Sequence, residues 1–258
     1  MLGENALFAL YPIFAGWAVD AILSGRTGQA LLYALFVFVA WAVGAVRRKV
    51  DTKAFTSIYA ALASQVIASE RANGGEVGRT AARVALSREF VDFFENSFPM
   101  IFTSVVSTVG AVVMLAFFEP IVAALCVVIL CALGALLPRY VHRNDALYFR
   151  LNNRLEKEVS VIEKAGEASV GRHYSVLARL RTAISTREAA SYLVVGVSAA
   201  ATFGLAIVTL SLNGVSVGHV TTVMTYIWTF AISLDDAPRL IEDMSKLKDI
   251  GKRIALEK

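Results

Sequence analysis

The stretch PMIFTSVVSTVGAVVMLAFFEPIVAALCVVILCALGALL, residues Pro99 to Leu137, carries one charged side chain, Glu119. A helix needs about 20 predominantly apolar residues to cross a hydrocarbon layer roughly 30 Å thick. The stretch therefore reads as two crossings, about Pro99 to Phe118 and about Ile121 to Leu137, turned at the short Glu119-Pro120 corner. Working outward, the same pattern recurs at about Leu7 to Leu23 and about Ala30 to Val46, separated by Ser24-Gly25-Arg26-Thr27-Gly28. It recurs again at about Ala189 to Leu212 and about Val217 to Leu234, where Asn213-Gly214 breaks the run. Six crossings define an all-α polytopic membrane protein, read as a single domain over residues 1–258.

Composition agrees. The 258 residues are 57% hydrophobic with a mean hydropathy of +0.61, above the roughly 45–50% of an ordinary soluble domain. The charges are sorted into blocks between the apolar runs. A bilayer enforces that sorting, because a charge at its centre costs roughly 2.5–3.5 kcal/mol on insertion scales. The net charge of +4 does not point to nucleic acid, since no helix-turn-helix, zinc-finger or aromatic-basic stacking pattern accompanies it. Cys126 and Cys131 lie five positions apart in one run, so a helix turns them to different faces and no disulfide or metal framework follows. His142, His173 and His219 share no ligand spacing.

Lysine and arginine orient the crossings. With the three short corners outside, every basic residue except Arg26 falls on the opposite side, including Arg47-Arg48-Lys49. The positive-inside rule then makes the long segments, about residues 47–98, 138–188 and 235–258, cytoplasmic. The first crossing is not a cleaved signal peptide, because it lacks a basic leader and carries Pro12, Trp17 and Asp20. Met1 lies almost at its edge, so either the chain is truncated there or the first helix is unusually short.

Structureless linkers of some fifty residues are uncommon, and these segments have helical period. Phe55, Ile58, Leu62 and Val66 repeat on one face, as do Leu151, Leu155, Val159 and Ile162, and Leu240, Met244, Leu247, Ile250 and Ile254. Each crossing is expected to continue as a long amphipathic helix. Asn73-Gly74-Gly75 breaks the first long segment, and Gly166 through Gly171 softens the second. These tips read equally as a docking surface or as plain hairpin ends.

Four stretches in order carry a resemblance. They are Pro12-Ile13-Phe14-Ala15-Gly16-Trp17-Ala18-Val19-Asp20, Gly75-Glu76-Val77-Gly78-Arg79, Gly214-Val215-Ser216-Val217-Gly218-His219-Val220 and Asp249-Ile250-Gly251-Lys252-Arg253-Ile254. With their spacing, the chain resembles the transmembrane domain of six-helix, domain-swapped ABC exporters. The resemblance implies a homodimer or heterodimer of such domains, with the fourth and fifth helices crossing to the partner. It also implies that the two tips are coupling helices touching a nucleotide-binding domain. By position these are about Ala72 to Val77 and about Glu163 to Val170, with Asn73, Gly74, Gly75, Glu76, Gly166, Glu167 and Ala168 as contact residues. Members usually continue into an ATPase domain, whereas this chain has no GxxxxGK[ST] loop. No catalytic residue, metal ligand or cofactor is expected in it, and ATP with magnesium belongs to a separate ATP-binding subunit. The short interfacial helix that precedes the first crossing in the family is missing from the pattern.

Polar residues inside crossings are functional candidates by default. Thr222, Tyr226, Thr229, Ser233 and Asp236 form one stripe of the sixth crossing. Ser191, Ser198, Thr202 and Thr209 form another on the fifth, and Asn96, Thr103 and Ser107 a third. They read either as walls of a shared substrate cavity or as hydrogen-bonding glue between helices, where Gly196, Ala200 and Gly204 permit close approach. Asp235 and Asp236 lie about 100° apart on a helix, so only one can face a cavity centrally. They favour a cationic or amphipathic substrate, pair with Arg239, or mark the inner membrane edge. Three functions remain open: an export permease of a bacterial inner membrane driven by a separate ATPase, a proton-driven transporter or channel on the same scaffold, or a non-transporting regulatory half.

Overall fold

The computed structural model describes the backbone of residues 1–72, 74, 77–155, 158–164 and 166–256. Among these, the side chains of 79, 82, 83, 86, 89, 159, 160, 164, 167 and 237–256 are left out of the description. The helices are α1 (Leu2–Leu23), α2 (Thr27–Ala72), α3 (Val77–Asp92), α4 (Phe98–Phe118), α5 (Pro120–Leu155), α6 (Glu158–Lys164), α7 (Glu167–Asn213) and α8 (Val217–Leu256). Among the described residues six helical stretches are long and apolar enough to cross a membrane.

Length separates crossing from extension. The 46 residues of α2, 36 of α5 and 47 of α7 reach about 70, 54 and 70 Å at 1.5 Å per residue, well beyond one bilayer core. The expected extensions are thus continuous with the crossings. α1 has 22 residues, enough for one crossing, so of the two expectations for this end an unusually short helix is not what the structure shows. At the first tip Gly74 takes a left-handed backbone, φ +67, between α2 and α3. At the second, Gly166 is the extended N-cap of α7, whereas Gly171, expected to soften the break, lies inside α7. The apolar positions Leu240, Met244, Leu247, Ile250 and Ile254 lie outside the described side chains.

Packing concentrates at the corner end of the bundle. Ala111 and Leu115 of α4, Val122 and Cys126 of α5, Ala206 and Leu210 of α7, and Val223, Ile227 and Phe230 of α8 form one buried cluster. Phe38 and Trp41 of α2 and Val197 of α7 are among the apolar side chains left exposed, as expected of surfaces that meet lipid. α1 and α8 approach closely at Gly16 and Gly218, where a Cβ on either glycine would overlap the backbone of the other. Asp20 of α1 then serves the start of α8. Its carboxylate accepts from the Gly218 N–H at 2.7 Å and from the Ser216 hydroxyl at 2.8 Å, and Ser216 Oγ accepts from the His219 N–H. Free N–H groups at a helix start favour such acceptors and negative charge. Glu119, buried at the corner between α4 and α5, lies 3.3 Å from His219 Nε2.

The extensions of α5 and α7 form a second cluster of their own, Leu151, Leu177 and Ile184 with Leu147, Tyr148, Leu155 and Leu180 around it. Farther out, the Tyr174 hydroxyl donates to Glu158 at 2.9 Å, and that bond to a carboxylate raises the phenol above its usual range.

Candidate functional site

α3 does not pass into α4 as a uniform helix. Residues Phe93–Ser97 form a π-helical turn, in which the Phe98 N–H donates to the Phe93 carbonyl. The cause is two residues downstream of that turn. Pro99 has no N–H for the Glu95 carbonyl, and in an α-helix its ring would press against that carbonyl. Widening the turn by one residue relieves both defects. It also turns Glu95 and Asn96 toward α2 and α8, where they line a cavity of about 660 Å³.

Four segments build this cavity. α2 contributes Arg47, Arg48, Asp51 and Thr52, and the π turn contributes Glu95 and Asn96. α4 adds Pro99, Met100, Thr103, Ser104 and Ser107, and α8 adds Thr229, Ile232, Ser233 and Asp236. The volume falls within the roughly 300–1,000 Å³ of small-molecule sites. Arg47 is held from two sides. Glu4 of α1 reaches across Gly44 to its Nε, and Asp51 Oδ2 lies 2.7 Å from Nη1. Three wall hydroxyls direct their protons to backbone carbonyls: Thr229 to Thr225 and Ser233 to Thr229, both at 2.9 Å, and Ser104 to Ser233 at 3.5 Å.

Of the residues expected at a cavity, Thr103, Ser107, Thr229, Ser233 and Asp236 lie together here, with Asn96. The others are placed elsewhere. Thr222 Oγ1 lies 2.9 Å from the Gly218 carbonyl and 3.1 Å from that of Pro12, and the Tyr226 hydroxyl donates to the Ala9 carbonyl at 2.6 Å. Both belong to the α1–α8 contact, because the close approach at Gly16 and Gly218 turns that part of the stripe onto α1. Thr202 is fully buried and donates to the Ser198 carbonyl, while Ser198 is half-buried and donates to the Val194 carbonyl. Asp235 is exposed and outside the lining. Ser191 lines a separate apolar slot of about 280 Å³ between α5 and α7.

Sequence reasoning missed Arg47, Arg48, Asp51, Glu95, Met100, Ser104 and Ile232. Two signals were available: Pro99 inside a helical run, and the i,i+4 spacing of Arg47 and Asp51. At the tips, Gly74, Gly166 and Ala168 are exposed. Asn73, Gly75, Glu76 and the Glu167 side chain lie outside the described residues.

Comparison with known proteins adds one match. Residues 1–218 fit the family model described as the ABC transporter transmembrane region, which takes in α1 to α7 and stops two residues into α8. No curated protein matches the chain. The helical architecture, the six span-capable helices and a family match over most of the sequence agree, and the chain belongs to the ABC transporter transmembrane region family.

Proposed function

We propose that the chain is one membrane half of an exporter, paired with a second such half and powered by ATP hydrolysis, with magnesium, on a separately encoded subunit. The observation that supports this best is the asymmetry of the bundle along its length. Its corner end is closed by the buried cluster of Leu115, Val122, Val223 and Phe230. Its extension end holds the cavity between α2, α4 and α8. With the basic extensions in the cytoplasm of a bacterial inner membrane, this is a binding chamber open toward the inside and sealed outside, as a loading state of an exporter requires.

In this reading the long helices act as levers. The paired extensions of α5 and α7 carry the second tip well beyond the bilayer, and Gly74 and Gly166 turn the chain at the ends of the levers. Nucleotide drawing two ATPase subunits together would then tilt the crossings and reopen the chamber outward.

The test is purification of the chain from its native membrane. An ATPase subunit is expected to accompany it, and to be lost when Gly166, Glu167 and Ala168 are replaced by a flexible linker of equal length. Substrate flux in liposomes that hold this chain alone, driven by a pH gradient, would replace the proposal with proton-driven transport.

A further inference from the structure

We infer that the cavity recognises an amphipathic ammonium cation, an inference that rests on reading this cavity as the loading site. The charges around it are unequal. Among the described residues four carboxylates, Glu4, Asp51, Glu95 and Asp236, meet two guanidinium groups, Arg47 and Arg48. Arg47 is committed to Glu4 and Asp51, and Arg48 lies at the exposed rim. Among the described residues no ion pair within the lining cancels the negative charge of Glu95 of the π turn and Asp236 of α8, and the Arg239 side chain lies outside them.

Hydrogen-bond polarity points the same way. Thr229, Ser233 and Ser104 donate their protons to backbone carbonyls, so toward the cavity they offer lone pairs. Thr103 and Ser107 can act in either sense. A ligand that brings its own N–H donors and a positive charge satisfies this wall, whereas an anion would face carboxylates and acceptors. Pro99, Met100 and Ile232 supply an apolar patch beside the carboxylates, and methionine adapts its shape to varied partners. A primary or secondary ammonium on an apolar body fits both parts.

The experiment uses the full chain in phosphatidylcholine nanodiscs, with empty nanodiscs subtracted. Two probes are compared: dansylcadaverine, a primary ammonium on an aromatic body, and its neutral N-acetyl derivative. The amine is expected to bind about tenfold or more tightly than the acetylated form, the scale of a lost charge-assisted contact. That preference is expected to vanish in the Glu95→Gln/Asp236→Asn double variant and to persist in Asp235→Asn. Equal affinity for the two probes, or no saturable binding of the amine, overturns the inference. If equal binding is still blocked by Ser107→Trp, the loading site stands and only the cation preference fails. If Ser107→Trp leaves binding of both probes unchanged, the reading of the cavity as the loading site fails as well.

Discussion

Adding one methyl group at Gly16 tests the packing that holds the cavity's outer end together. A Cβ there would overlap the Gly218 carbonyl and Thr222 Oγ1. The hydroxyl could rotate away, but the carbonyl belongs to the backbone of α8 and moves only with the helix. Overpacking of this kind costs about 1–3 kcal/mol, against which a glycine-to-alanine change in a helix gains about 1 kcal/mol. Gly16→Ala should therefore lose up to about 2 kcal/mol. Gly204 of α7 has no atom within 4 Å of such a Cβ, so Gly204→Ala should keep the gain of about 1 kcal/mol. Reversible unfolding by steric trapping in bicelles measures both. Equal stability of the two variants would refute the close crossing of α1 and α8.

Removing the Tyr226 hydroxyl with Tyr226→Phe leaves the ring in place but takes the donor from the Ala9 carbonyl, and the same assay should show a loss of about 1 kcal/mol. Asp20→Ala strips two acceptors from the start of α8, with an expected cost of about 0.5–2 kcal/mol; an unchanged stability would mean that α8 is capped by other groups. Pro99→Ala restores an N–H for the Glu95 carbonyl, so the π turn should relax to α-helix and rotate the preceding residues by about 100°. A spin label at Glu95→Cys should then lose its proximity to one at Asp236→Cys, and an unaltered distance would show that the proline does not cause the turn.

The crossings were legible because a bilayer penalises misplaced charge so heavily that the sequence must be sorted. Long extensions were legible for a similar reason: period 3.6 persists in Phe55, Ile58, Leu62 and Val66 beyond the apolar run. The cavity was only half legible. Periodicity says which residues share a face of a helix but not which neighbour that face meets. Thr222 and Thr229 lie on one stripe, yet the first contacts α1 and the second lines the cavity, because the seam with α1 takes up α8 from Gly218 to Tyr226 and Thr229 comes after it. Glu95 was hidden by the change of helical phase at the π turn. In the sequence Arg47 speaks only for orientation, since its pairing with Glu4 depends on how α1 lies across Gly44.

Thiol labelling of Ser107→Cys in a Cys126→Ala/Cys131→Ala background tests the central claim most directly. A chamber open to the cytoplasm and sealed outside predicts rapid reaction with a membrane-impermeant maleimide in inside-out vesicles and none in right-side-out vesicles. Reaction from the outer side, or from neither side, would contradict it.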